Sequence, residues 1–83
     1  MKVKKVKVAN LVKQRKFVGA NLRDLRLRNE FTQETLAQRC SIDRKTINRI
    51  ENGRFSPSID TLVRIAAACN TSPAALLKGI ENL

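Results

Sequence analysis

Between Thr32 and Gly53 the chain twice repeats one pattern: a cap residue, a short run with apolar side chains at helical spacing, and a stop. The first run follows Thr32, whose hydroxyl can accept from the free amides of the first turn, and extends to about Cys40. The second follows Asp43 and extends to about Asn52, where Gly53 ends it. Leu36 and Ala37 face inward from the first helix, Ile42 fills the corner, and Ile47 and Ile50 face inward from the second. Arg44, Lys45, Asn48 and Arg49 fall at i, i+1, i+4 and i+5, one outward face with no acid on it. Two short helices crossing steeply, the second basic and amide-rich outside, fit a major groove. A solvated face has the same residue types; three cations beside an amide, with acids kept away, favour groove reading. Ser41 stands in the turn, where a left-handed residue is wanted and a side chain costs about 1 kcal/mol.

Charge points the same way. Seventeen Lys and Arg against seven Asp and Glu leave +10, which calls for a polyanionic partner, nucleic acid or an anionic membrane surface. The surplus is uneven. Residues 1–16 hold seven basic residues and no acid, whereas residues 17–83 hold ten basic and seven acidic. Residues 1–16 are therefore expected to be a basic, flexible arm, with Lys2, Lys4, Lys5 and Lys7 able to track phosphates. The Val-Lys alternation hints at a short strand, which Val3, Val6 and Val8 would make a dimer strand. Val8, Leu11 and Val12, at i, i+3, i+4, hint instead at a helical turn.

Residues 17–83 read as one all-α domain of five helices. The first is expected over about Phe17–Asn29, with Val18, Leu22 and Leu25 as its apolar stripe. The fourth follows the Ser58 cap to about Cys69, with Ile59, Leu62, Ile65, Ala66 and Cys69 packing on helices 1 and 3. The fifth is short, Pro73–Lys78, with Pro at the first helical position and Gly79 as its stop. Leu76, Leu77, Ile80 and Leu83 are more apolar residues than a terminal turn needs, and serve as candidates for core closure and for a dimer surface. Cys40 and Cys69 sit in apolar helical patterns and read as small buried hydrophobes in a reducing compartment. With no His and no Cys-x-x-Cys, neither a metal nor another cofactor is expected. No apolar run approaches a membrane span, and a cytoplasmic, nucleoid-associated protein is expected.

The stretch from Val18 to Gly79 resembles the Cro/cI-type helix-turn-helix domain of phage and bacterial repressors, the XRE family. The resemblance rests on Leu22-Arg23-Asp24-Leu25-Arg26, Phe31-Thr32-Gln33-Glu34-Thr35-Leu36-Ala37, Ile47-Asn48-Arg49-Ile50-Glu51-Asn52-Gly53 and Ser56-Pro57-Ser58-Ile59-Asp60-Thr61-Leu62, in that order and spacing. It implies the five-helix lambda-repressor-like fold and a repressor-like role. It implies that Arg44, Lys45 and Arg49 read bases, and that Gln33 contacts a phosphate or braces the side chain at Arg44. Asn52, Arg54 and the loop to Ser58 would contact backbone phosphates, as would Asn48. Arg26 and Glu51 would form an internal ion pair tying helix 1 to the end of helix 3.

These readings converge on a sequence-specific double-stranded DNA-binding regulator. It is expected to act as a homodimer on a palindromic operator, repressing or autoregulating a phage, plasmid or restriction–modification type operon, with no small-molecule effector. The competing reading is an antitoxin-like module that binds another protein through the Leu76–Leu83 end or the Val-rich arm. An enzyme is not expected: the chain has no His, no nucleophile in a catalytic setting and no paired carboxylates in a plausible cleft.

Overall fold

The computed structural model describes residues 5–80, and these are all-helical, with no strand among them. Four α-helices follow in order: α1 (Val8–Arg28), α2 (Gln33–Cys40), α3 (Arg44–Glu51) and α4 (Ile59–Ala68). A 3₁₀ helix, Pro73–Leu77, stands where a fifth α-helix was expected. Its five residues close with an i to i+3 bond, Ala75 N to Ser72 O at 3.0 Å, and Lys78 turns extended before Gly79 at φ +89°. So few residues cannot offset the cost of an α-helical nucleus. The Asn21 side chain holds this end in place, donating through Nδ2 to Leu76 O at 2.9 Å and Lys78 O at 2.7 Å.

The first helix starts at Val8, well before the expected Phe17, and runs unbroken through residues 16 and 17. One face continues backward at helical spacing, from buried Leu22 and Val18 to half-buried Arg15 and then Leu11, which is 43% exposed. Arg15 Nε donates to Gly53 O at 3.3 Å, and the Lys16 backbone lies against Gly53. The helical reading of Val8, Leu11 and Val12 thus prevails over the strand reading for the described part of that segment. Lys2, Lys4, Val3 and Leu83 lie outside the described residues.

Caps explain where the short helices begin. Thr32 Oγ1 accepts from Thr35 N at 3.0 Å, Asp43 Oδ1 from Lys45 N at 3.2 Å, and Ser58 Oγ from Thr61 N at 3.1 Å. Every α-helix ends in a left-handed residue: Glu30 at φ +58°, Ser41 at +54°, Gly53 at +70° and Asn70 at +55°. Each end closes with paired backbone bonds, such as Ser41 N to Gln38 O at 3.3 Å and Ile42 N to Ala37 O at 2.9 Å after α2.

The core draws from every helix. Leu22, Leu36, Ile47, Ile50, Ile65 and Leu76 are its fully buried members. α1 packs on α3 and on the 3₁₀ helix, α2 on α3 and α4, and α4 on the 3₁₀ helix. The fourth helix, expected on the first and third, shares one core with them through Leu62 and Ile65 and makes its closest backbone approach to α2 and the terminal turn. Ile59, expected inside, is 75% exposed: it shares a face with Leu62, but as the first residue of α4 it lies beyond the packed part of that face. Cys40 and Cys69 are buried free thiols. Burial pushes both up, Cys40 to about 11 with a further rise from nearby Cys69 and a small opposing pull from Arg64.

Candidate nucleic-acid interface

α3 is an eight-residue helix with two opposed faces. Ile47 and Ile50 are buried, while Arg44, Lys45, Asn48 and Arg49 are exposed. Among the described residues no carboxylate forms an ion pair with Arg44, Lys45, Arg49 or Arg54, whereas exposed Arg28 and Asp24 do pair, at 3.0 Å. Asp43 is the acid nearest in sequence to this face, and its side chain bonds the Lys45 backbone as a cap.

Beside the cations lies a chain of hydrogen-bonded side chains. It starts at Arg26 and Glu51, whose side chains are 11% and 5% exposed. Arg26 Nε donates to Glu51 Oε2 at 2.7 Å and Nη2 to Oε1 at 3.0 Å, a bidentate pair between α1 and α3. Its Nη1 also donates to Phe31 O at 2.9 Å, which fixes the chain entering α2. The bond to Glu51 raises the Arg26 pKa further, partly offset by burial. Gln33 then donates through Nε2 to Glu51 Oε1 and accepts from Asn48 Nδ2, both at 3.3 Å. So Gln33 braces Asn48 and not Arg44, because Glu51 and Asn48 lie on the side of α3 that faces the start of α2.

The flanks carry further polar groups. The backbone N–H groups of Gln33 and Glu34 open α2 without intrahelical partners, at the positive end of its dipole. Asn52 is exposed at the other end of α3 and bonds the Asn48 carbonyl through Nδ2 at 2.8 Å. Arg54 is exposed, with its backbone N–H fixed on Arg49 O at 2.9 Å. The Ser58 hydroxyl is engaged with Thr61 as the α4 cap. Lys5 and Lys7 precede α1 and are exposed. At the opposite end, Leu76 is fully buried and so leaves the surface, whereas Leu77 and Ile80 are 43% and 42% exposed.

Three positioning residues were not anticipated from the sequence. Gly19 lets α1 approach the end of α3, Arg15 bonds Gly53 and Asn21 holds the terminal turn. Only Gly19 carried a signal, since an isolated glycine in a helical pattern marks a close approach.

A family model described as helix-turn-helix (HTH_3) matches residues 22–76, from the middle of α1 to the buried Leu76. This chain belongs to the helix-turn-helix family of transcriptional regulators, XRE type. An HTH-type transcriptional regulator of Sinorhizobium fredii, y4dJ, is 33% identical over 63 residues, covering 76% of this chain and 82% of that protein. The immunity repressor of Bacillus phage phi105 is 32% identical over 66 residues, covering 80% of this chain and 45% of the repressor. Among solved structures, the restriction–modification controller protein C.AhdI of Aeromonas hydrophila has a TM-score of 0.72 at 32% identity, over 82% of this chain and 97% of that one. The helix-turn-helix residues of this chain, α2 and α3 with the turn at Ser41, all fall inside the matched segment.

Proposed function

We propose that this protein is a sequence-specific double-stranded DNA-binding transcriptional regulator, acting as a homodimeric repressor or autoregulator of a phage, plasmid or restriction–modification type operon. The observation that carries the reading is the exposed α3 face, where Arg44, Lys45 and Arg49 stand free of carboxylate partners. An Arg fork matches O6 and N7 of guanine, so Arg44 or Arg49 reads at least one G·C pair per half-site. Lys45 reads the neighbouring base edge. The free amides opening α2, together with Gln33, Asn52, Arg54 and the Ser58 backbone, grip phosphates on either side. The exposed Lys5 and Lys7, with Lys2 and Lys4, steer the chain to DNA and add affinity without sequence preference.

Homodimerisation draws support from apolar surface between α1, the loop before α4 and the terminal turn. Leu11, Pro57, Leu62, Leu77 and Ile80 line an apolar cavity of about 300 Å³ that opens to the surface. A symmetric pair of subunits would place two α3 helices on half-sites about 10 bp, or roughly 34 Å, apart. The likeness to a controller protein over nearly its whole length favours an operon of the restriction–modification type among the three.

The test is protection of the DNA just upstream of the protein's own gene, with Arg44→Ala beside the wild type. A symmetric footprint is expected, and Arg44→Ala is expected to flatten the preference for one G·C pair by about 1–3 kcal/mol. An Arg44→Ala protein that ranks half-site sequences as the wild type does would remove Arg44 from base reading.

A further inference from the structure

The side-chain amides beside the cations of α3 are oriented from inside the fold. Glu51 is a carboxylate and only accepts. Gln33 therefore turns its Nε2 to Glu51 Oε1, at 3.3 Å. That leaves the Gln33 Oε1 acceptor facing Asn48, which answers with Nδ2 at 3.3 Å. Asn48 Oδ1 is thereby left to accept from Asn52 Nδ2, also at 3.3 Å. Asn52 Nδ2 is fixed in turn by the Asn48 carbonyl at 2.8 Å. Turning Gln33 over would set its carbonyl oxygen against the Glu51 carboxylate, and turning Asn48 alone would set oxygen against oxygen.

An amide side chain offers two donor hydrogens and two acceptor lone pairs. Asn48 spends one of each inside the protein. One Nδ2 hydrogen and one Oδ1 lone pair remain, on an exposed side chain one helical turn from Arg44 and next to Arg49. A donor beside an acceptor on one planar amide is the complement of adenine N7 and N6 in the major groove. Resting on the DNA-binding reading above, we infer that Asn48 is a base-reading residue selecting adenine, and not a phosphate contact, with Gln33 as its positioning residue. Arg26 and Glu51 then serve two ends at once: they tie α1 to α3 and they polarise the amide that reads. Arg44 and Arg49 supply the guanine contacts on the same face, so adenine and guanine are read by separate side chains.

The experiment selects duplexes from a pool randomised across two half-sites about 10 bp apart. It compares the wild type with Asn48→Ala, Asn48→Asp, Gln33→Ala and the Gln33→Ala/Asn48→Ala double variant, by sequencing the bound fraction. The wild type is expected to enrich one adenine per half-site beside its guanine. Asn48→Ala loses that adenine by about 5- to 150-fold, the worth of one bidentate contact, and keeps the guanine. Gln33→Ala weakens the same adenine, and the double variant does no worse there than Asn48→Ala alone. Asn48→Asp keeps the shape, removes the donor and loses the adenine too; it carries the test should Asn48→Ala not fold. Enrichment unchanged in the Asn48 variants, or binding weakened equally for all sequences, overturns the inference while leaving the DNA-binding reading in place. A wild type that enriches no sequence overturns both.

Discussion

Gly19→Ala should destabilise the protein, although alanine is the better helix former by about 1 kcal/mol. Gly19 lies in the interior of α1 with no left-handed backbone to require glycine. The reason for it is the crossing with α3. A β-carbon there would overlap the Ile50 carbonyl oxygen and meet Glu51 O at 2.7 Å and Glu51 C at 2.9 Å. All of these are backbone atoms in the last turn of α3, so none can swing aside as a side chain would. The two helices must separate, and overpacking costs about 1–3 kcal/mol. With backbone on every contact the upper end applies, which leaves a net loss of about 2 kcal/mol after the propensity gain. In a domain of this size that lowers Tm by about 8–16 °C. Thermal unfolding followed by far-ultraviolet circular dichroism measures it, with urea unfolding to show that the m value is unchanged. A Gly19→Ala protein melting at or above the wild-type temperature would refute the argument, since propensity alone would then have decided the outcome.

Four other outcomes follow from the same contacts. Arg26→Leu strands the nearly buried Glu51 carboxylate and the Phe31 carbonyl, and should cost about 3–5 kcal/mol in urea unfolding, with part recovered when Glu51→Leu is added. Ser41→Gly relieves a left-handed strain of about 1–2 kcal/mol and loosens the unfolded chain by about 0.4–1 kcal/mol, for a net gain of about 0.8 kcal/mol, read as a higher urea midpoint at an unchanged m value. The Cys40 thiol, raised from its usual 9 to about 11, stays protonated in the fold while the unfolded thiol ionises; stability should hold below pH 9, fall as pH rises through about 11, and fall less in Cys40→Ala. Replacing Lys2, Lys4, Lys5 and Lys7 with Gln removes four charges and keeps the Lys7 backbone that caps α1, and should lower the slope of log binding constant against log salt by about 0.9 for each phosphate those lysines neutralise; an unchanged slope takes the arm off the DNA.

The helix-turn-helix was legible because its signals are local. Thr32, Asp43 and Ser58 announce helix starts one residue ahead, and the spacing of Leu36, Ile47, Ile50 and Ile65 announces the buried faces. The ends were harder. Four helices stop on left-handed residues, but only Gly53 is a glycine, and nothing local marks Glu30 as one that will adopt φ +58°. Tertiary support was harder still. α1 extends back to Val8 because Arg15 and Lys16 meet Gly53, which lies far along the chain. Periodicity cannot count that contact when the stripe is read from Val18 alone. The same blindness put Ile59 inside: at i and i+3 from Leu62 it fits the pattern, but no element covers that side of the first turn of α4.

The placement of acids shows how the exposed α3 face keeps its charge. An ion pair at the surface is worth little to stability, about 0–1 kcal/mol, so pairing Arg44 or Arg49 with a neighbouring carboxylate would add almost nothing to the fold. It would, however, screen the cations that a polyanion must find. The chain instead commits its acids elsewhere. Asp43 is turned to the Lys45 backbone as a cap, Asp24 is matched with Arg28 on α1, and Glu51, which sits in α3 itself, is held by Arg26 with two bonds. Glu51 is the acid within α3 itself, and the bidentate pair neutralises it where it stands. Replacing it with an aliphatic residue would also remove that negative charge, but it would leave Arg26 unmatched and take from Gln33 the acceptor that decides which way its amide points; a glutamine there would accept and donate alike, and so would no longer dictate the direction. A nearly buried carboxylate matched by a nearly buried guanidinium keeps α3 positive outside while fixing the polarity of Gln33 and Asn48, because a carboxylate only accepts.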